Sequence, residues 1–252
     1  MRGTETKTLA GHDTALQAYL LGAVDFEAAL LLQRRLHYDI AGDRDQAALI
    51  VCEHSSLITV GRQGSRRHLL IDADELRARQ WRVRWVNRAG GCWLHLPGQL
   101  SICPIVPLDV LGLTPPEYVA LLGETLRRVL GDFSVTARVH VDDAGVWVGD
   151  RLLAAIGVAV KDEVAYYGAC FNVNPALDVY QTLRCHPRAA GPMTSLERER
   201  RGPMRPGMVR ERIVEQFRAA FGSARVSLFS DHTALHAAQA PGPARRALGV
   251  RA

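Results

Sequence analysis

A cysteine beside a histidine is the feature of the sequence that most directly suggests covalent chemistry. Cys185 lies between Arg184 and His186, in the segment YQTLRCHP. A neighbouring cation lowers the pKa of a thiol, and an imidazole can accept the proton that the thiol loses. The pattern therefore indicates a nucleophilic cysteine, and the alternative is an unreactive cysteine at the protein surface.

The other four cysteines do not suggest a shared site. Cys52, Cys103 and Cys170 lie inside apolar runs, which predicts buried and unreactive thiols, whereas Cys92 lies in a glycine-flanked segment. The five cysteines are widely spaced and include no CxxC pair, so the sequence predicts neither structural disulfides nor a zinc site. We expect no metal and no cofactor.

Two further segments contain small residues that could shape a binding pocket. In residues 87–100, NRAGGCWLHLPGQL, the glycines would let backbone amides approach a ligand, and His95 could add a side-chain hydrogen bond. The alternative is that these glycines only form a hairpin turn. In residues 151–160, RLLAAIGVAV, Ala155 and Gly157 leave space on a strand for a neighbouring helix or for a ligand chain.

The helices that would position these residues follow from apolar spacing and capping residues. Apolar residues at helical spacing predict one long amphipathic helix over residues 13–40. Thr114 and Glu117, three residues apart, predict the start of a second helix through a capping box. A shorter helix begins after Asp72, and a closing helix covers residues 207–222.

Strands are predicted between these helices. Two short apolar strands flank a Ser-Ser turn at residues 55–56, and residues 81–108 predict a strand, a glycine loop and a further strand, with a turn at residues 97–98. Residues 139–175 alternate apolar runs with turns, which predicts a meander of short strands. Long helices segregated from hairpins favour an α+β fold over a doubly wound α/β fold.

The composition excludes several classes of protein. A chain of 252 residues with 48% hydrophobic and 23% charged residues is typical of one globular domain. No run approaches the ~18 apolar residues of a membrane span, so we expect a cytoplasmic protein without membrane contact. The net charge of +5 favours an acidic partner, and the arginines are spread without interleaved aromatic residues, which argues against nucleic acid.

Five segments in a fixed order resemble the octanoyl-[acyl carrier protein]:protein octanoyltransferases of lipoate synthesis, within the biotin/lipoate protein ligase superfamily. The segments are EHSSLITVGR, RAGGCWLHLPGQ, DDAGVWVGDRLLAAIGV, YGACFNVNPALDVYQTLRC and MTSL. The resemblance implies an α+β fold with a single biotin/lipoate ligase-like domain, whose mixed β-sheet is flanked by helices. We expect this catalytic domain at residues 13–222, an extension at 1–12, and a second extension at 223–252 that ends in a loosely held tail.

The resemblance also implies a set of functional residues. Cys185 matches the cysteine that accepts the acyl group as a thioester. The segments that match the family's acyl-binding regions give the predicted substrate-binding residues Arg88, Ala89, Gly90, Gly91, Cys92, Trp93, Leu94, His95, Ala155, Ile156, Gly157, Gly168, Ala169 and Cys170. Trp93 and Leu96 are larger than the residues that the family has at these positions, and they could shorten or reroute an acyl tunnel.

One departure from the family concerns catalysis directly. The family's catalytic lysine falls on Leu152, so the cation that favours the thiolate form of the cysteine is absent there. Three interpretations remain open. Arg151 could supply the charge if a bulge at residues 149–150 turned it toward the site, His95 or His186 could pair with the cysteine as base and acid, or the chain could retain binding without transfer.

Together these residues imply an acyltransferase that needs neither ATP nor metal. Cys185, assisted by His95 or His186, would take an octanoyl group from octanoyl-acyl carrier protein and pass it to a lysine of a lipoyl domain. The expected acceptors are the lipoyl domains of 2-oxoacid dehydrogenase E2 subunits and the glycine cleavage H protein. One alternative is a catalytically degenerate member that only binds such partners. The other is an ATP-dependent lipoate or biotin ligase, but ligases of this superfamily also use a lysine at the position of Leu152, so its absence argues against a ligase as much as against a transferase.

Overall fold

The computed structural model describes residues 14–140, 142, 144–182 and 192–237, which form two β-sheets and seven α-helices. The strands in chain order are β1 (Ala15–Ala23), β2 (Gln46–Glu53), β3 (Leu57–Val60), β4 (Arg82–Trp85), β5 (Cys92–His95), β6 (Gln99–Pro107), β7 (Arg138–His140), β8 (Gly145–Val148), β9 (Arg151–Lys161), β10 (Val164–Asn172) and β11 (Val226–Phe229). The helices are α1 (Phe26–Gly42), α2 (Ala73–Ala78), α3 (Leu108–Leu111), α4 (Pro115–Asp132), α5 (Leu196–Arg200), α6 (Pro206–Ala220) and α7 (Thr233–Ala237). The predicted α+β class is confirmed.

The larger sheet has eight strands in the order β11-β1-β2-β6-β10-β9-β8-β7, and the smaller has three in the order β4-β3-β5. The larger sheet is mixed, because β1 pairs in parallel with β2 and β11, whereas the pairs from β2 to β7 are antiparallel. The two strands that flank the Ser-Ser turn are confirmed as strands, but they belong to different sheets. The chain therefore leaves the larger sheet after β2 and builds the smaller one against its face.

The single helix predicted over residues 13–40 is wrong, because this segment contains β1 followed by α1. Gly22 adopts a positive φ of 64°, which breaks any helix there, and it lies where the β1–β2 register shifts. Asp25 then caps α1, since its carboxylate accepts hydrogen bonds from the N–H groups of Glu27 and Ala28 at 2.9 and 3.3 Å. The apolar residues before Asp25 serve a parallel strand instead of a helix.

The remaining predicted elements are confirmed. Thr114 and Glu117 form the predicted capping box of α4, and Asp72 caps α2 through the N–H of Glu75. The meander consists of β7 to β10, and the turn at residues 97–98 places Gly98 at a φ of 83°. After residue 222, β11 pairs with β1 and extends the larger sheet.

The two faces of the larger sheet bury different sets of side chains. Along β2, Leu49 and Val51 face α4 and α6, whereas Ile50 and Cys52 face α1, as the alternation of a strand requires. The smaller sheet packs on the same side as α1. Within the described ranges, no helix combines the length and apolar character needed to cross a membrane.

Candidate active site

Two rows of small side chains cross four strands of the larger sheet on the face covered by α1. One row runs across the register pairs of β9, β10, β6 and β2, and consists of Ala155, Cys170, Ser101 and Cys52. The neighbouring row, two residues along each strand, consists of Gly157, Gly168, Cys103 and Ile50. Because these side chains are short, except for Ile50 at the β2 end, the face leaves room above the sheet.

A cavity of about 490 Å³ occupies this space. Its floor is formed by the two rows of small residues. Val86, residues 88–93 and His95 cover it from the side of the smaller sheet, and Phe26, Leu30 and Gln33 cover it from α1. The surrounding side chains are mostly apolar, with a few polar groups between them, as in typical small-molecule sites.

All the predicted substrate-binding residues except Leu94 line this cavity. Leu94 differs because Trp93 and His95 lie on one face of β5, so Leu94 points to the other face. It is fully buried against Ile58 and Val60, and its carbonyl oxygen accepts a hydrogen bond from the hydroxyl of Tyr180 at 2.6 Å. The structure thus brings three separate segments of the sequence to one cavity. Their role in binding an acyl group stays a prediction.

The glycine loop is held directly on strand β9. The Ala89 N–H donates to the carbonyl oxygen of Val158 at 2.9 Å. A Cβ atom at Gly157 would lie 2.7 Å from the Ala89 carbonyl oxygen, so no larger residue fits without moving the loop. The Arg88 guanidinium also fixes the loop, because it donates to the Thr59 hydroxyl oxygen at 2.8 Å and to the Ala89 carbonyl oxygen at 3.0 Å.

His95 is buried in the wall of the cavity and hydrogen bonded through both ring nitrogens. Nε2 lies 3.1 Å from the Thr59 hydroxyl oxygen, and Nδ1 lies 3.5 Å from the Ser101 hydroxyl oxygen and 3.8 Å from Cys170 Sγ. Burial, together with nearby His54 and the Arg88 cation, lowers the pKa of His95 well below 6.5. The imidazole is therefore neutral near pH 7.

His54 is a cavity residue that the sequence did not single out individually. Its Nδ1 lies 2.9 Å from the carbonyl oxygen of Val24, which can only accept, so Nδ1 carries the proton. Its Nε2 faces Cys52 Sγ at 3.6 Å, and its ring lies 5.5 Å from that of His95. Burial lowers the pKa of His54 as well. The sequence feature that could have identified His54 is the Glu-His pair at the start of the segment EHSSLITVGR.

These two histidines predict a loss of stability in mild acid. Because the pKa of each is lower in the folded chain than in the unfolded chain, the unfolded state binds more protons once the pH falls below about 6.5. We expect the free energy of unfolding to fall there by up to about 1.4 kcal/mol per pH unit for each histidine. Urea unfolding between pH 7.5 and 5.5 measures this slope.

The matched variants are His95→Gln in the cavity and His140→Gln at an exposed position. We expect the first to reduce the slope and the second to leave it unchanged. An equal slope in wild type and His95→Gln would show that His95 is not held neutral by its surroundings.

Four thiols line the cavity, namely Cys52, Cys92, Cys103 and Cys170. Burial raises the pKa of all four, to about 12 for Cys52 and Cys170. These groups stay protonated near neutral pH, which agrees with the unreactive thiols predicted for Cys52, Cys103 and Cys170. Within the described residues these four cysteines are free, and no cluster of histidine, cysteine or acidic side chains is arranged to hold a metal.

Leu152, at the position of the family's lysine, lines the cavity and is 3% exposed. Arg151, the next residue toward the N-terminus, pairs with a carboxylate of α5. Its guanidinium forms two hydrogen bonds with the Glu199 carboxylate, both at 3.0 Å, and the register shift between β8 and β9 lies at residues 146–147 and not at residues 149–150. The bulge at residues 149–150 that this interpretation requires is therefore absent, and the described residues do not support the interpretation.

Cys185 and His186 lie outside the described residues. The described chain that follows them lies beside Leu152 at one end of the cavity, and the described chain that precedes them ends at Thr182, beside Leu70. The Thr182 carbonyl oxygen accepts from the Leu70 N–H at 2.9 Å, and the Pro192 carbonyl oxygen accepts from the Leu152 N–H at 3.0 Å. The segment MTSL continues from there, with the Thr194 N–H donating to the Leu152 carbonyl oxygen at 2.9 Å.

Solved structures define the class to which this fold belongs. A lipoate-protein ligase A crystallised with ATP superposes with a TM-score of 0.72 at 14% identity, covering 88% of this chain and 91% of that one. A bipartite lipoate protein ligase from Thermoplasma acidophilum, described with its E2 lipoyl domain, gives a TM-score of 0.68 at 14% identity and covers 90% of each chain. The chain thus has the fold of the lipoate-protein ligases.

The sequence then identifies the family. The model of the lipoyl protein ligase A/B catalytic domain matches residues 25–218, and the chain belongs to this family.

Relatives named octanoyltransferase match over most of the chain. One from Caldicellulosiruptor bescii is 34% identical over 206 residues, which are 80% of this chain and 90% of the relative. One from Syntrophobacter fumaroxidans is 33% identical and covers 71% of this chain and 78% of the relative. A third, from Porphyromonas gingivalis, is 28% identical over 80% of this chain, which corresponds to 43% of that longer relative.

Proposed function

We propose that the chain transfers an octanoyl group from acyl carrier protein to a lysine of a lipoyl domain, in the cytoplasm, as a step of lipoate biosynthesis. The observation that carries this proposal is the cavity floored by two rows of small residues, because all the residues that match the acyl-binding segments of octanoyltransferases, except Leu94, line it. The names of the relatives support the same reaction. Lipoyl domains of 2-oxoacid dehydrogenase E2 subunits and the glycine cleavage H protein are the proposed acceptors.

The shape of the cavity supports one orientation of the acyl chain. The chain that follows Cys185 meets the cavity at Leu152, at the start of β9, where Pro192 and Thr194 bind its backbone. The opposite end is closed by Ile50 of β2 and by Phe26 and Leu30 of α1, which are all buried and apolar. An acyl chain attached at the first end would therefore cross the strands over the small residues, with its methyl end under α1.

The proposed reaction has two steps. In the first, the sulfur of Cys185 attacks the thioester carbonyl, the carbon–sulfur bond to the carrier breaks, and the carrier leaves as a thiol with the proton that Cys185 has lost. In the second, the lysine amine attacks the new thioester, an amide forms, the carbon–sulfur bond to Cys185 breaks, and the proton lost by the amine returns to the Cys185 sulfur. The reaction balances without ATP, metal or redox cofactor.

Two histidines are candidates for moving these protons. An imidazolium at His95 would be buried beside the Arg88 guanidinium, which is why its pKa is lowered and why it is a weak base. We therefore assign the base to His186 and give His95 the role of a neutral hydrogen-bonding group in the cavity wall. For the developing oxyanion, the Gly91 N–H is a better candidate than that of Gly90, which already donates to Gln63 Oε1.

A second candidate function is acyl or partner binding without transfer. The apolar surroundings of Leu152 favour it, because Trp147 and Met193 pack in the same cluster and no cation takes the place of the lysine there among the described residues. This alternative predicts that octanoyl-acyl carrier protein or a lipoyl domain binds and that no product forms.

The experiment that separates the two functions is transfer to an isolated lipoyl domain, followed by mass spectrometry of that domain. With octanoyl-acyl carrier protein and no ATP, we expect the lipoyl domain to gain one octanoyl group. A binding-only protein would leave the domain unmodified. Modification that requires ATP and a free fatty acid would assign the chain to the ligases instead.

A further inference from the structure

A loop beside the cavity concentrates positive charge at the surface. Residues 62–68, RQGSRRH, follow β3, and the side chains of Arg62, Arg66 and Arg67 are exposed. Within the part of the chain that the structure describes, no ion pair joins these three arginines to a carboxylate. Arg62 Nη1 donates to the carbonyl oxygen of Asn87 at 2.7 Å, which leaves its charge uncompensated, so the charge of all three arginines faces solvent.

The acidic residues that follow on α2 do not neutralise this loop. Asp74 forms an ion pair with Arg77, and Glu75 forms one with Arg79 at 2.7 Å. The Asp72 carboxylate caps its own helix through the N–H of Glu75. The loop contrasts in this respect with strand β4, where Arg82 and Arg84 pair with Asp25 and Glu27.

The loop is also fixed to the cavity and to the described chain that precedes Cys185. Gln63 accepts from the Gly90 N–H, and the Ser65 carbonyl oxygen lies 3.6 Å from Cys92 Sγ, so the loop borders the cavity. At its end, Leu70 donates its N–H to Thr182, three residues before Cys185. The Leu70 side chain is 53% exposed, which places an apolar group beside the three cations.

We propose that Arg62, Arg66, Arg67 and Leu70, here called the arginine surface, form the docking site for the acyl carrier protein that donates the acyl group. This inference rests on the proposed function. An acidic carrier presents carboxylates around a prosthetic arm that is attached through a phosphate, and guanidinium groups bind phosphate and carboxylate oxygens in pairs. A polar rim around an apolar residue is typical of protein interfaces.

The same charges argue against the acceptor as the occupant. The lysine amine that receives the acyl group is an ammonium ion near neutral pH, and it would be repelled by exposed arginines. The thioester of the carrier is neutral, and the loop that contains the arginines contacts Gly90 through Gln63 and Cys92 through Ser65. The geometry therefore favours the donor protein at this position.

The test compares a protein-bound donor with a small donor in the Arg66→Gln/Arg67→Gln double variant. Two exposed ion pairs contribute about 0.7 kcal/mol each, which corresponds to about a tenfold fall in kcat/KM for octanoyl-acyl carrier protein. We expect kcat/KM for octanoyl-pantetheine, which lacks both the protein and the phosphate, to stay unchanged. The matched control is the double variant Arg205→Gln/Arg218→Gln, which removes two exposed arginines at the ends of α6, on the opposite face of the larger sheet.

Several outcomes would overturn the proposal. An equal fall with both donors would place the arginines in the reaction itself, and a fall confined to kcat/KM for the lipoyl domain would assign the surface to the acceptor. A loss as large in Arg205→Gln/Arg218→Gln would show an effect of net charge alone. An unchanged midpoint of thermal unfolding in the double variant ensures that a fall in kcat/KM reports on docking and not on loss of the fold.

Failure of the proposed function would look different, because wild-type protein would then transfer octanoyl from neither donor. In that case calorimetric titration with octanoyl-acyl carrier protein decides the question of docking. Binding that is weakened about tenfold in the double variant supports the arginine surface, and the absence of binding overturns it.

Discussion

Cys103→Phe is expected to abolish most octanoyl transfer while preserving transfer of short acyl groups. Cys103 lies on the floor of the cavity in β6, next to Ile50 in the register and away from Leu152. A phenyl ring there would fill the half of the cavity assigned to the methyl end of the chain. Displacing four methylenes at about 0.8 kcal/mol each costs about 3 kcal/mol, or roughly a 100-fold fall in kcat/KM for the octanoyl donor.

The measurement is a comparison of octanoyl and butyryl donors in the same assay. Cys103→Ala is the matched control, because it removes the thiol without filling the cavity, and we expect it to transfer both groups at nearly the wild-type rate. An equal loss with both donors in Cys103→Phe, at an unchanged unfolding midpoint, would mean that the acyl chain does not lie across these strands.

Leu152→Lys, which restores the family's residue, is expected to destabilise the protein by roughly 3 kcal/mol at pH 7. Leu152 is buried, and a Cβ atom at Gly145 would lie only 2.7 Å from its Cδ1 atom, so the side chain is closely surrounded. An ammonium group placed there loses its hydration among apolar neighbours that include Trp147. The surroundings of Leu152 therefore differ from those of the family's lysine in packing as well as in charge.

Denaturant unfolding tests this expectation. The difference in free energy of unfolding between Leu152→Lys and wild type is compared at pH 7 and at pH 9.5. Burial depresses the pKa of the new lysine below its unfolded value near 10.4, so the destabilisation should shrink as the pH rises toward that value. Leu152→Met conserves volume without charge and should cost less than about 1.5 kcal/mol. If Leu152→Lys is as stable as wild type at pH 7, the surroundings of residue 152 accommodate an ammonium group, which would contradict this account.

The candidate site could largely be predicted from the sequence, because its segments are local motifs. The glycine loop and the strand containing Gly157 keep their character wherever the sheet places them, and both line the cavity. What could not be predicted is how residues far apart in the chain meet. The rows that join Cys52, Ser101 and Cys170 exist only through the strand register, which no local pattern specifies.

The wrong prediction of one helix over residues 13–40 also arises from contacts between residues that are far apart in the chain. The apolar residues of β1 resemble one side of a helix when they are considered alone, and only their pairing with β2 and β11 makes them a strand. The roof of the cavity includes Phe26 and Leu30 because α1 begins at Phe26, after the Asp25 cap. With one helix predicted over this segment, neither residue could be placed at the cavity. The strand β11, four residues long and mostly exposed, has no strong local signal.

The most direct test of the proposed transfer is the intact mass of the protein after incubation with octanoyl-acyl carrier protein. We predict an adduct of one octanoyl group on the wild-type chain, its disappearance on addition of a lipoyl domain, and no adduct on Cys185→Ala. Cys92→Ala, which removes a cavity thiol whose pKa is raised by burial, should form the adduct like wild type. Wild-type protein without an adduct, or a Cys185→Ala variant that still acquires one, would contradict the assignment of Cys185 as the acyl carrier of this reaction.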